Sequence, residues 1–390
     1  LASDGTLFAG IYARGETAAQ LGDQAWLRAM LEVEAALARA CAAEGLIPEA
    51  AAAEIAAACR PERFDLGALA DGAARHATPV VELVARLRAA VSEPARVHVH
   101  RGATSQDVLD TALMLIAGRA LGPLLTDAAG AAQAAARLAA AFRDTPMIGR
   151  TLLQQAMPIT FGLRAATWLT GIDEASARLR ELRVTGLAVQ MGGPVGARAP
   201  AVAARVAAEL GLAEPVAPWQ AIRVRPVALA TALGTLAGVF GKIARDVTLL
   251  AAQEVDEVAE GGDLDRGGSS AMAHKHNPVA AVSVLACVKR TPGLVATALA
   301  CMEQEHERAA GAWQAEWGTH TELLALTGSA AAWGRELLED LEIDAARMRA
   351  NLAGAAAAGE APPEGARELI DRALAAHAAT IAVPAPAGRR

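Results

Sequence analysis

The sequence predicts an all-α protein built round a bundle of long helices. Two observations carry that prediction. Hydrophobic residues make up 53% of the 390 and aromatics only 3%; alanine and leucine dominate, and both form helices well and let them pack closely. Between residues 226 and 260, Leu229, Leu233, Leu236, Phe240, Ile243, Val247 and Leu250 recur at alternating spacings of four and three. That is the heptad seam of near-parallel long helices.

The elements follow in order. Residues 17–45 read as an amphipathic helix ending near Gly45, and "LIPEAAAAEIAAAC" as a second. Pro79 opens a helix in "RHATPVVELVARLR", because the first turn has no use for its N–H. "EPARVHVHRGATSQD" is a break rich in His and small polar residues. A long helix runs from about Val108 to Phe142, with Pro123 as the place for a kink. Another runs from about Ile159 to Leu187, and "MGGPVGARAP" is then a loop. Pro226 marks the start of the seam helix. Glu254 and Glu257 take the next seam positions, so the apolar stripe either emerges into solvent or borders a polar pocket. Pro278 opens a further long helix, interrupted near Pro292, and the tail "AVPAPAGRR" reads as disordered. The expected division is an N-terminal helical domain over 1–107, a central bundle over 108–310 and a C-terminal helical domain over 311–390.

A formal net charge of −7 and the lack of a basic run argue against nucleic acid as a partner. No uninterrupted apolar stretch reads as long enough to span a bilayer, so no membrane partner is expected. "LASDGTLFAG" lacks the basic-then-apolar layout of a secretory signal. Cys41, Cys59, Cys287 and Cys301 form no CxxC pair and lie in helix-like stretches. They read as small buried hydrophobes in a reducing cytoplasm.

Three polar islands interrupt the helices: "HVHRGATSQD" (98–107), "GRTLLQQAMP" (149–158) and "GGSSAMAHKHNP" (267–278). In an antiparallel bundle, breaks far apart in sequence can meet in space, within one subunit or between subunits. In the third island, Gly267 and Gly268 let the chain bend, and Ser269 and Ser270 offer hydroxyls. Lys275 and Asn277 stand near a helix start, where backbone N–H groups favour anions. Such a set can hold a carboxylate while a serine handles a proton; an ordinary solvated loop with a capping Ser or Asn is the other reading. No phosphate-binding loop and no metal-ligand spacing is present, although His274 and His276 are close in sequence.

"GSSAMAHKHNP" resembles the GSSxMxxKxNP signature of the fumarase/aspartase superfamily. "HRGATSQD" is similar to the first conserved region of that superfamily and "GRTLLQQAMPITFG" to the second, in the expected order. The resemblance implies a homotetramer round a central helix bundle, with each active site combining the three regions from three subunits. Most relatives release fumarate, and several carry histidine directly after "RT" in the second region as the acid for the leaving group. Leu152 stands there in this chain. Leucine moves no proton, which argues against expulsion of an amine or hydroxide. A carboxylate leaves without a proton, so Leu152 suits a cycloisomerase that forms a lactone. "GKIARDVTLLAAQEVDEVAE" and "EHERAAGAWQAEW" are also similar to that branch, which serves aromatic catabolism.

By that resemblance, Ser269 moves the proton and Lys275 and Asn277 stabilise an enediolate. His100, Thr104, Ser105, Arg150, Thr151, Gln154, Ser270, Met272, His274 and His276 bind a small tricarboxylate substrate, and no metal or organic cofactor is required. Arg101, Arg150, Arg223, His274 and His276 are candidate cations for the three carboxylates. A segment from about Gly261 to His274 is expected to close over substrate. The chain departs from the pattern at Ala273, where proline is common. It departs again in "PWQAIRVRP", where Gln220 and Val224 replace a frequent histidine and acid. Trp313 and Trp317, four apart, read as packing residues, and Glu305 to Arg308 as an ion network or a solvated face. The alternatives are a lyase of the adenylosuccinate or argininosuccinate type and a non-catalytic, crystallin-like homologue; intact Ser269, Lys275 and Asn277 argue against the latter.

Overall fold

The computed structural model describes residues 7–262, 266–268, 272, 275–357 and 359–382. A short α1 (Ala9–Tyr12) precedes α2 (Asp23–Ala43), α3 (Glu49–Ala58), α4 (Leu66–His76), α5 (Val80–Ala89) and α6 (Glu93–Arg96). Next come α7 (Ser105–Ala141), the strands β1 (Pro146–Thr151) and β2 (Gln154–Thr160), α8 (Phe161–Glu181) and α9 (Pro200–Leu210). Then follow α10 (Val224–Leu250), β3 (Val258–Glu260), α11 (Val279–Val288), α12 (Thr291–Ala300) and α13 (Ala312–Glu339). β4 (Leu341–Ile343), α14 (Ala345–Ala353) and α15 (Gly365–Ala382) complete the order. The all-α reading holds; the two small antiparallel pairs, β1 with β2 and β3 with β4, were not foreseen.

Contacts along the helices fix their directions. Arg223 at the head of α10 reaches Asp110 near the head of α7 and Glu316 near the head of α13. Further along, Arg335 of α13 pairs with Asp127 of α7 at 3.5 Å. α7, α10 and α13 therefore run in one direction. α8 runs back, since Trp168 near its start bonds Asp246 near the end of α10 at 2.8 Å. α11 and α12 also run back, with Val288 against Gly241 and then Val295 against Gly234. All seven seam residues of α10 are buried. α10 begins at Val224, so Pro226 sits within its first turn, where the missing N–H costs nothing. α7 is helical throughout Ser105–Ala141, with Pro123 inside it. The break at Pro292 is real: α11 ends at Val288 and α12 carries Pro292 in its first turn.

Nearly all the buried apolar side chains form one core, from Leu21 to Ile370 on α15, and Ile148, Leu352 and Ala355 form a small second cluster. That core redraws the expected division. α13 packs along α7, α10, α11 and α12, so it belongs to the bundle rather than beyond a boundary at 310. The boundary at 107 falls inside the first turn of α7. The tail beyond Ala382 lies outside the described residues.

The reading that no stretch can cross a bilayer fails on length and composition: Ser105–Ala141, Val224–Leu250 and Val279–Ala300 all qualify. The cause is helices rich in alanine and leucine with few charges: Val279–Ala300 carries only Lys289 and Arg290. They use that apolarity differently. In the most apolar window, 72% is buried within the chain for α7, 56% for α10 and 33% for α11–α12. α7 is a core helix, whereas two-thirds of the α11–α12 window is left partly or wholly exposed.

The four cysteines are free thiols. Cys41, Cys287 and Cys301 are buried as expected and Cys59 is half-buried; burial pushes Cys59 up to about 12 and Cys287 up to about 11.

Candidate active site

The first region turns on Asp107, a fully buried carboxylate in the opening turn of α7. Its oxygens accept from the backbone N–H of Thr104 (3.2 Å), Gly192 (3.1 Å) and Gly193 (2.8 Å), and from Gln190 Nε2 (3.0 Å). Burial pushes its pKa up despite these donors. Gly193 has φ +69°, and a Cβ there would lie 2.9 Å from Gly102 O. Glycine is therefore required where the "MGGPVG" loop crosses the first region. Arg308 closes the structure from the other side. It donates to Gly193 O, to Pro194 O at 3.1 Å and to Gln106 Oε1 at 2.7 Å, and lies 3.7 Å from Asp107. Thr104 caps α7 and Ser105 is its first residue; both are half-buried.

Arg223 is not a substrate cation. It is 1% exposed, donates to both Asp110 and Glu316 and stacks on Trp219 at 5.0 Å. Two buried carboxylates use all of its charge. Gln220, where the family often has histidine, is buried: its carbonyl accepts from Gln106 Nε2 at 2.7 Å and its Oε1 from Gln190 Nε2 at 3.3 Å. Val224 is exposed. Trp313 and Trp317 pack edge to face at 4.8 Å, and Trp313 donates to Asp110 at 3.0 Å, so they are packing residues. Arg101 is exposed and has no ion pair among the described residues, so it stays available to an anion.

The second region is the β1–β2 hairpin. Leu152 and Leu153 form its two-residue tip at φ +49° and +64°, the left-handed region that usually calls for Gly or Asn. They are 97% and 77% exposed. Thr151 and Gln154 flank them and are exposed too. Arg150 instead faces inward, donating both terminal nitrogens to Glu257 at 2.9 and 3.1 Å, with Asn351 on the same carboxylate at 2.9 Å. As a free cation for substrate Arg150 is therefore spent; it anchors the hairpin. Glu257 is that anchor and Glu254 is exposed, so the seam ends at Leu250.

In the third region Ser269, Ser270 and His274, and most of the segment expected to close over substrate, lie outside the described residues. Met272, Lys275 and His276 are exposed. Asn277 spends its backbone N–H and one side-chain N–H on Gly267 O, both at 2.9 Å. The head of α11 is not an open anion site: Glu260 accepts from Ala280 N at 2.9 Å and Ala281 N at 2.8 Å. The groups left for an anion there are the side chains.

The regions lie at opposite ends of the chain. α7 alone, 37 residues, sets the Thr104 turn about 55 Å from the hairpin. Arg266, just before the signature, binds Glu336 and Asp340 at the far end of α13. Glu316, at the Thr104 end, stands about 30 Å from Glu336 by helical rise. Glu34, Asp107 and Gln106 were missed as site-building residues. "TSQD" holds the spacing of a helix-capping box, which marks Asp107. Of the two readings of Glu305 to Arg308, the ion network is the one Arg308 follows, through Asp107 and Gln106.

A family model described as lyase matches residues 13–293, and the chain belongs to that family. It is 47% identical over 340 residues to a 3-carboxy-cis,cis-muconate cycloisomerase of Bradyrhizobium diazoefficiens, covering 85% of this chain and 75% of that protein. It is 43% identical over 366 residues to a nitrosuccinate lyase of Streptomyces davaonensis, covering 90% and 77%. The crystal structure of 3-carboxy-cis,cis-muconate lactonizing enzyme from Pseudomonas putida superposes with a TM-score of 0.89 at 34% identity, over 97% of this chain and 100% of that one.

Proposed function

We propose that this chain is an isomerase that converts 3-carboxy-cis,cis-muconate to 4-carboxymuconolactone, in the protocatechuate branch of the β-ketoadipate pathway. The observation that carries the reading is Leu152 at the exposed hairpin tip, between flanking Thr151 and Gln154, where related lyases hold an acid. One substrate carboxylate adds to the conjugated double bond and a C–O bond forms. The π electrons move into a second carboxylate as an enediolate, and Ser269 delivers a proton to the adjacent carbon. Lys275 and Asn277 stabilise the enediolate charge, the second N–H of Asn277 having no partner among the described residues. His100, Thr104, Ser105, Thr151, Gln154, Ser270, Met272, His274 and His276 line the site, joined by Arg101.

The distance between the regions calls for several copies per site, and the apolar surface left by α10, α11 and α12 supports burial in a homotetramer. We assign the working enzyme to the cytoplasm, with no membrane or nucleic-acid partner. A second reading is favoured by the nitrosuccinate lyase likeness, because a nitro group leaves as the weakly basic nitrite and also needs no acid at Leu152.

The test is ultraviolet absorbance of 3-carboxy-cis,cis-muconate mixed with the purified protein. Lactone formation destroys the conjugated diene, so absorbance falls, and Ser269→Ala abolishes the fall. No fall with the wild-type protein, alongside nitrite release from nitrosuccinate or fumarate release from a succinyl adduct, would assign the chain to a lyase branch instead.

A further inference from the structure

The buried stripe of α2 runs Leu27, Leu31, Glu34, Ala38 and Cys41, so a carboxylate stands where the spacing calls for an apolar side chain. Glu34 is 1% exposed. A carboxylate so placed is costly unless a cation meets it. The group that meets it is His100, whose Nδ1 lies 2.5 Å from Glu34 Oε1. The other oxygen, Oε2, is buried and has no hydrogen-bond partner among the described residues. His100 sits at φ +61°, a left-handed conformation unusual for histidine.

The charges facing His100 are Glu34 from α2, Asp107 from α7 and Arg88 from α5. Burial alone would depress the imidazole; Glu34 and Asp107 outweigh burial and Arg88, and the pKa lies above the usual histidine range. The protonation state decides what the outer ring nitrogen does. A neutral ring that donates Nδ1–H to Glu34 presents a lone pair at Nε2, which repels a carboxylate. A charged ring presents Nε2–H, which binds one.

We infer that Glu34 is a positioning residue that keeps the His100 ring doubly protonated, spending Nδ1–H on itself and leaving Nε2–H as a fixed donor to one substrate carboxylate. This rests on the tricarboxylate reading for the ligand, but the protonation state does not. His100 is then a fixed cation of the site and takes no part in moving the reaction's proton. Substrate affinity weakens as pH rises through the raised His100 pKa.

The experiment is NMR of the full-length protein labelled at the Cε1 of its eight histidines, without substrate. The His100 signal is assigned by its loss in His100→Gln. In the wild-type protein it titrates above the ordinary histidine value of about 6.5, and in Glu34→Gln it titrates at lower pH. Glu34→Gln also raises KM for 3-carboxy-cis,cis-muconate about tenfold, the loss of one charge-assisted bond, and leaves kcat within about twofold. Glu34→Asp, which keeps the charge, restores part of the titration shift. A wild-type signal at or below the ordinary value overturns the inference even if Glu34→Gln does not fold. Identical titration in the two proteins overturns it as well. A high His100 titration with no turnover of the muconate upholds the dyad and removes the proposed reaction.

Discussion

At the Thr104 end of the bundle the buried polar groups are answered largely from within the chain; at the hairpin end the chain turns its most unusual residues outward. Asp107 takes four hydrogen bonds from two loops, which Arg198 also ties together through Arg101 O at 2.7 Å, and Arg308 reaches in to close the same loops. The hairpin is anchored at its base by Arg150 and Glu257 but offers two leucines in a strained turn to whatever lies beyond. A side chain as apolar as leucine gains nothing from left-handed exposure in water. The difference separates what a chain completes alone from what it leaves open: the Thr104 turn is preorganised in one copy, and the exposed hairpin tip fits the assembly proposed above.

Five substitutions break or sharpen that comparison. The largest effect is expected at the preorganised end, from Arg223→Leu. It strands Asp110 and Glu316 as buried, unpaired carboxylates and costs about 3–5 kcal/mol in urea unfolding; replacing all three by apolar residues recovers most of that loss. Asp107→Ala follows, leaving three backbone N–H groups and the Gln190 amide without their acceptor, at about 2–3 kcal/mol, and activity falls because the Thr104 turn loses its tether. An effect of comparable size, fully developed only in acid, concerns a buried histidine. Burial pushes the fully enclosed His320 down to about 3, with the nearby Arg223 charge acting in the same direction. Its folded form therefore takes no proton until about pH 3, whereas the unfolded chain takes one near the ordinary value of about 6.5. Stability is lost as pH falls between those values, and His320→Phe flattens that part of the stability–pH curve. The smallest effect belongs to the hairpin end: Leu153→Gly relieves the left-handed turn and changes stability by no more than about 1 kcal/mol. Leu152→Ser leaves the unfolding midpoint of the chain unchanged and lowers turnover.

Much of this was legible in the sequence for stated physical reasons. The α10 seam obeys a heptad because its neighbours run nearly parallel, and Pro226, Pro278 and Pro292 mark helix starts because the first turn wastes no N–H. The three regions are visible because glycines and polar side chains interrupt an otherwise apolar pattern. Partnerships across the chain were not legible. Arg150 and Arg223 read as free cations, since a sequence does not show that Glu257, Asp110 and Glu316 have taken them. The hairpin was missed because "TLLQ" has no turn residues: left-handed leucines contradict the local rule, and such violations concentrate where function is served. Glu34 was hidden in the opposite way, by lying inside an apolar stripe that otherwise reads as pure packing.

The central claim is that one copy cannot form the site alone. It is tested most directly by co-expressing two inactive variants with different affinity tags, His100→Ala with Thr104→Ala in one chain and Lys275→Ala in the other. Assemblies holding both tags are purified and assayed by the fall in muconate absorbance. The account predicts activity in the mixed assemblies well above that of either parent, because some sites combine an intact Thr104 turn from one copy with an intact Lys275 from another. Mixed assemblies as inactive as their parents would contradict it and place the whole site within a single chain.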